Sequence, residues 1–140
     1  MIGWWYALNT LLAVAGTSAG RVSPEAKASV CEVSNHPARY LGRRVVVDAL
    51  LENAMPHGIY IKDLENSHCI LDIGSMAAGE KDDVSHYFVL DPKSPTSFWE
   101  AKVRIRAVVK SEMRDSPFTG SYERYRSYFL DQMKVSPLKP

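Results

Sequence analysis

The sequence is poor in the residues and spacings that mark catalytic and metal sites. Its 140 residues include two cysteines, which form no C-x-x-C pair, and four scattered histidines. No P-loop, G-x-G-x-x-G, H-E-x-x-H or nucleophile-elbow motif occurs. We therefore predict no catalytic residue, no metal and no cofactor, and we expect a protein that is not an enzyme.

Charge of either sign is also limited. The formal net charge is +1, and the chain has no long run of like charges and no internal repeat. This balance argues against a protein that binds nucleic acid through a large basic surface. With 46% hydrophobic and 24% charged residues, the chain fits one globular domain with a core.

The first twenty residues contain no charged side chain. An apolar stretch leads into the small-residue runs "AVA" (13–15) and "TSA" (17–19), which suit a signal peptidase, although the usual positive start is missing. We predict a signal peptide over residues 1–19; an uncleaved membrane anchor and a buried first helix of the domain are the alternatives. Residues 20–28 are predicted to be a polar linker, and export would place the protein in the periplasm or outside the cell.

The two cysteines are Cys31 and Cys69. An even count in an exported chain favours a disulfide bond between them. Two buried thiols in a cytosolic protein are the alternative. A zinc site is disfavoured, because His68 stands directly beside Cys69 rather than at the spacing of a ligand pair.

Alternation of apolar and polar residues predicts five strands. They fall at 44–52, within 55–63 after a turn, and at 68–74, 101–110 and 122–135, with a β-bulge near Leu130. Their predicted inward residues are Val45, Val47, Ala49, Leu51, Ile59, Ile61, Cys69, Leu71, Ile73, Val103, Ile105, Ala107 and Val109. Asn35 is predicted to cap a short helix over 36–41. Residues 75–97 break the pattern and are predicted to form an irregular excursion or a short helix.

Three short strands, an irregular connection and two longer strands are typical of the oligonucleotide/oligosaccharide-binding (OB) fold. We therefore predict a mainly β protein. Its domain would be a small five-stranded OB-like barrel over residues 29–137, with a short N-terminal helix and an irregular insertion between strands 3 and 4. Closing the barrel would remove most exposed strand edges.

One run resembles a specific group of proteins. It is "VCEVSNHPARYLGRRVVVDALLENAMPHGIYIKDLENSHC" (30–69), and the likeness covers about residues 29–74. The matching positions are Cys31, Asn35, Pro37, Tyr40, Gly42, Val45, Val47, Gly58 and Cys69. The run is similar to small exported bacterial proteins of unknown function, but it departs from them at Asp48-Ala49, where they often carry Arg-Gly. The resemblance implies an OB-like barrel, export and a disulfide bond, and it implies no catalytic residue.

Cations and aromatic rings on the predicted strands form the candidate ligand-binding face. Its residues are Arg44, Tyr60, Lys102, Arg104, Arg106, Arg124, Tyr125 and Arg126. Such a face suits single-stranded nucleic acid, since cations bind phosphates and rings stack on bases. Ordinary solvated charges are the alternative. The acidic cluster of Glu80, Asp82 and Asp83 lacks calcium-loop spacing and is predicted to be a solvated loop.

These patterns favour an exported, non-enzymatic binding module. Its expected partner is a protein, a glycan or an envelope component. A protein that binds single-stranded nucleic acid is the alternative function. By analogy with the fold, we expect the ligand between strands 2 and 3 and beside the 75–97 segment.

Overall fold

The computed structural model describes residues 24–54, 56–81, 83–88, 93, 99–115 and 123–139. The predicted signal peptide (1–19) and the start of the predicted linker lie outside these ranges. The described residues are mainly β. Their elements are β1 (Ala26–Lys27), α1 (Val30–Asn35), α2 (Pro37–Tyr40), β2 (Arg44–Asn53), β3 (Ile59–Asp63), β4 (Ile70–Ile73), a 3₁₀ turn (Val84–Tyr87), β5 (Glu100–Asp115) and β6 (Arg124–Pro137).

The five predicted strands are confirmed as β2 to β6, with some changes in length. The third is shorter than predicted, and the fourth continues to Asp115. Strand β1 falls within the predicted linker and pairs in parallel with Val45 and Val46 of β2. Strand pairing uses backbone groups, and two residues are too few to show an alternation of apolar and polar side chains. The sequence therefore does not predict β1.

The helical segment before β2 is two short helices rather than one. Ser29 caps α1 by accepting a hydrogen bond from the backbone N–H of Glu32, and the Glu32 carboxylate accepts one from Ser29 in return. This capping box was present in the sequence as Ser-x-x-Glu. The prediction that Asn35 caps the second helix is wrong, because Asn35 ends α1 and His36 occupies the position before α2.

The strands are joined in a ring because β2 pairs along both edges. On one edge β2 runs antiparallel to β5, from Arg44 to Glu52. On the other edge it pairs with β3, which pairs with β4, and β4 runs parallel to β6. Strand β6 then pairs with β5 and completes the circuit. The order around the ring is β2, β3, β4, β6 and β5.

The core fills the inside of this ring. Every residue predicted to point inward is either buried or packed against the core, Ile59 and Ile73 being partly exposed. The core also takes Val30 and Val33 from α1, Val84 from the 3₁₀ turn and Met133 from β6. Helix α1 therefore covers part of the apolar interior that the strands alone leave open.

The predicted disulfide bond is present. Cys31 in α1 is bonded to Cys69 just before β4, with a Cα–Cα distance of 5.0 Å. Beside it, Asp63 accepts hydrogen bonds from the backbone N–H groups of Cys31, Glu65 and Asn66. Burial alone would raise the pKa of Asp63, but these donors outweigh it and hold the pKa below its ordinary value. Together the two features fix α1 to the β3–β4 turn.

The predicted bulge is confirmed, two residues further along than expected. The register between β5 and β6 shifts between Arg106 and Val108, where β6 carries one extra residue. Gln132 absorbs it with a φ of 53°, in the left-handed region. The bulge explains why the alternation of β6 slips after Leu130 and resumes at Met133.

Replacing both cysteines (Cys31→Ser with Cys69→Ser) should lower the free energy of unfolding by about 4 kcal/mol, because the bond spans 38 residues of the unfolded chain. Urea denaturation with and without a reducing agent measures this. Reduction should destabilise the wild-type protein by a similar amount and leave the double variant unchanged. Equal midpoints for the two proteins under oxidising conditions would contradict the prediction.

Gln132→Gly should raise the free energy of unfolding by up to about 1 kcal/mol, since glycine tolerates a left-handed backbone that other residues adopt at a cost. Lys134→Gly is the matched control. Lys134 is exposed on the same strand outside the bulge, and glycine there should cost about 0.5–1 kcal/mol. Thermal denaturation of both variants tests the pair; destabilisation of similar size in both would show that Gln132 is not strained.

Candidate functional site

The candidate ligand-binding face divides into two groups. Lys102, Arg104 and Arg106 lie on the outer side of β5, because Val103 and Ile105 between them point into the core. Arg104 donates two hydrogen bonds to Asp48, at 2.7 and 3.1 Å. Arg106 forms an ion pair with Glu25 at 3.4 Å. Carboxylates therefore partner two of the three cations on this strand.

Arg44 lies on the outer side of β2, and Tyr60 donates a hydrogen bond from its hydroxyl to the carbonyl of His57. The other residues of the predicted face lie on the β5–β6 ribbon, which we define as 110–115 with 124–128. Its register places Tyr125 opposite Arg114, about 27 Å along β5 from Arg106.

Arg124 and Arg126 lie on the ribbon side that is continuous with the inside of the ring, since they pair with the odd-numbered Asp115 and Met113 of β5. Arg124 contacts the carboxylate of Asp115 at 3.3 Å, and Arg126 donates to the Ser111 hydroxyl. The structure therefore brings Lys102, Arg104 and Arg106 together and holds Arg124, Tyr125 and Arg126 apart from them. The predicted residues do not form one continuous face.

A cleft opens where β3 and β4 separate. The two strands pair at Ile61–Leu71 and Lys62–Ile70, and beyond these pairs they diverge. The space is about 930 Å³, within the range of small-ligand sites. We call it the β3–β4 cleft. Its lining residues are Asn53, Gly58, Ile59, Ile73, Gly74, Ser75, Met76, Ala77, Ala78, Gly79, Glu80, Lys81, Asp83, Val84, Ser85 and Met133.

The cleft has an apolar interior and a polar rim. The partly exposed Ile59, Ile73 and Met76 supply the apolar surface, and the buried Val84 and Met133 lie behind them. The polar residues Glu80, Lys81 and Asp83 come from the segment after β4. This is the region between strands 2 and 3 and beside residues 75–97 where fold analogy placed a ligand. Of the predicted acidic cluster, Glu80 and Asp83 line the cleft, and Asp82 lies outside the described residues.

The wall formed by the end of β4 is held against β6. Gly74 donates a hydrogen bond from its N–H to the carbonyl of Leu130 at 2.7 Å, and a Cβ at this position would lie 2.5 Å from that oxygen. Only glycine fits such a close approach without a shift. Next along the chain, the Ser75 N–H and hydroxyl both donate to the Asp131 carboxylate.

Asp131 is the charged centre of this wall. Its carboxylate also contacts the Lys110 ammonium at 2.7 Å, and its side chain is only 14% exposed. The hydrogen bonds from Lys110 and then from Ser75 hold the pKa of Asp131 well below its ordinary value. The carboxylate is therefore ionised throughout the neutral range and keeps β4 joined to β6.

Asn53, at the end of β2, carries an unpartnered oxygen in the cleft wall. Its backbone N–H donates to the carbonyl of Trp99 at 2.7 Å. Its side-chain Oδ1 is buried and, among the described residues, has no hydrogen-bond donor. A buried acceptor without a partner is costly, and this oxygen is the polar group that the cleft wall leaves unsatisfied behind its surface.

The rim carries an unpaired carboxylate. Within the part of the chain that the structure describes, no ion pair involves Glu80, which lies close enough to Tyr87 to influence the pKa of its hydroxyl. Burial and then the Glu80 charge raise the pKa of Tyr87, whose hydroxyl donates to the carbonyl of Val135. The Lys81 ammonium lies 5.4 Å from the centroid of the Tyr87 ring. The rim thus leaves a negative charge available at the mouth of the cleft.

Over the described ranges, no three His, Cys, Asp or Glu side chains come together as a metal site requires. The same ranges contain no helix with the length and apolar character needed to cross a membrane. No protein-family model, no curated protein and no solved structure gives a significant match to this chain.

Asp131→Asn should lower the free energy of unfolding at pH 7 by about 1.5–3 kcal/mol, because it removes hydrogen bonds to a charged acceptor. A carboxyl whose pKa is lowered by folding contributes its full stabilisation when the pH is above its pKa in the unfolded chain, about 3.9. Its contribution decreases as the pH falls below that pKa. The difference in the free energy of unfolding between wild type and variant should therefore be smaller at pH 3 than at pH 7. Urea denaturation at both pH values measures it.

Asp115→Asn is the control for this variant. Asp115 and its partner Arg124 are both exposed on the ribbon, and surface ion pairs contribute little to stability. We expect a change of less than about 1 kcal/mol at either pH. Similar losses and similar pH dependence in the two variants would contradict the role of Asp131.

Proposed function

We propose that this protein is an exported, non-enzymatic binding module with an OB-like barrel, whose ligand occupies the β3–β4 cleft. The observation that carries the proposal is the cleft itself, which has an apolar interior, a small number of polar groups and an unpartnered buried acceptor. Small-ligand sites in proteins share this combination.

The strand order supports the OB-like assignment. Numbered from β2, the ring follows the order first, second, third, fifth, fourth, and the third and fifth strands are parallel. Five strands joined in a ring are compatible with the OB fold, a five-stranded barrel in which ligands bind beside the second and third strands and the loops around them. The cleft lies between those two strands.

The disulfide bond supports the exported location, because such bonds persist mainly in oxidising compartments. The charge arrangement favours the cleft over the basic residues as the binding site. Arg104 and Arg106 are already paired with carboxylates, and a phosphate backbone would have to displace those partners. Binding of single-stranded nucleic acid is therefore the less favoured function.

Methionine methyl groups provide a test of the binding site. Met76 and Met133 line the cleft, whereas Met113 lies exposed on the ribbon. We expect that NMR of protein labelled with ¹³C at the methionine methyls will show shifts of Met76 and Met133, but not of Met113, on addition of a ligand. The probes are short peptides, soluble cell-wall glycan fragments, apolar small molecules and a thymidine oligonucleotide.

Two variants sharpen the test. Ala78→Trp places an indole at the cleft from an exposed position and should abolish the shifts, whereas Ala38→Trp, exposed on α2, should not. The proposal fails if no probe class moves Met76 and Met133 at millimolar concentration. Oligonucleotide binding that moves Met113 and weakens steeply with salt would instead support the nucleic-acid function.

A further inference from the structure

The separation of β3 and β4 leaves backbone hydrogen-bonding groups facing the cleft. The carbonyl of Gly58 accepts a hydrogen bond from the N–H of Ala54 on the side of β2. The N–H of Asp63 donates one to the carbonyl of Cys69 on the side of β4. Because alternate residues of a strand point their N–H and C=O to opposite sides, Ile59 also directs its backbone groups away from β2 and toward β4.

The same reasoning applies to the other wall. Gly74 donates to Leu130 of β6, so Ile73, one residue earlier, directs its backbone groups away from β6 and toward β3. If the β3–β4 ladder continued past the Ile61–Leu71 pair, the next two residues to exchange backbone hydrogen bonds would be Ile59 and Ile73. The ladder ends before this pair. Among the described residues, the two strand ends therefore leave backbone donors and acceptors outside the β3–β4 ladder, and these groups face each other across the cleft.

We propose that the ligand of this cleft is an extended peptide segment, which adds as a strand at the open edges of β3 and β4. Its backbone pairs with the free groups of Ile59 and Ile73. Alternate apolar side chains pack on Met76, beneath which Met133 is buried, and a Lys or Arg side chain pairs with Glu80. This inference rests on the proposed binding function and specifies its ligand class.

Two features favour a peptide over a glycan or a compact apolar molecule. First, open strand edges offer alternating N–H and C=O groups at the spacing of another extended backbone, which is the basis of strand addition. Second, the Glu80 carboxylate at the rim, which has no ion pair among the described residues, complements a cation. A compact apolar molecule would leave all of these groups unsatisfied.

The experiment is a selection from a displayed library of random heptapeptides against the disulfide-bonded protein, with Ala78→Trp as the counter-selection. Peptides that bind only the wild-type protein should alternate apolar residues and include Lys or Arg. A synthetic version should slow amide exchange at Ile59 and Ile73 and shift the Met76 and Met133 methyls. N-methylation of one central backbone amide should weaken binding about tenfold, by removing one hydrogen bond.

Glu80→Gln should weaken the selected peptide about threefold, and the loss should disappear at high salt. Glu123→Gln removes the same charge from an exposed position at the ribbon and should have no effect. The inference is overturned if no peptide distinguishes wild type from Ala78→Trp, or if the N-methylated peptide binds equally well. If glycans or apolar molecules move Met76 and Met133 while peptides do not, the binding function stands and the peptide proposal falls.

Discussion

The pairing of β2 along both of its edges is the constraint on which the rest of the structure depends. Strand β5 occupies one edge of β2 from Arg44 to Glu52, and β3 and β1 share the other edge. The alternate side chains Val45, Val47, Ala49 and Leu51 lie on one face of β2. Because strands occupy both edges of β2, this face is enclosed, and the four side chains are fully buried. The core on this face of β2 is therefore complete only when the strands on both sides of β2 are in place.

The cleft follows from competition for β4. At one end of β4, the disulfide bond and Asp63 hold the strand close to β3 and α1. At the other end, Gly74 and the contacts of Asp131 draw it toward β6. Ile70 and Leu71 pair with β3, whereas Asp72 and Ile73 pair with β6, so the pairing of β4 with β3 ends early. The contacts that hold the end of β4 against β6 therefore also open one side of the cleft, and the segment after β4 supplies most of the remaining lining.

Side-chain alternation is a local property, and for that reason it predicted β2 and β5 well, including every inward residue. The disulfide bond and the bulge were also predictable, since each leaves a mark in the sequence. The ion pair of Arg104 with Asp48 joins residues 56 positions apart, and only the register of the folded strands brings them together. The cleft was predicted in location by fold analogy alone. Its chemistry was not, because the unpartnered Asn53 oxygen and the free edges at Ile59 and Ile73 exist only once neighbouring strands are placed.

The ribbon of β5 and β6 continues past the ring for about 17 Å. In this part no other described strand pairs with β5 or β6, so their outer rows of amide and carbonyl groups have no ladder partner among the described residues. Such a hairpin invites association with a second molecule through sheet extension. The charged residues at its end, Glu112 with Arg114 and Asp115 with Arg124, oppose it, because an approaching strand would have to bury them. The projecting hairpin thus carries its own protection against aggregation.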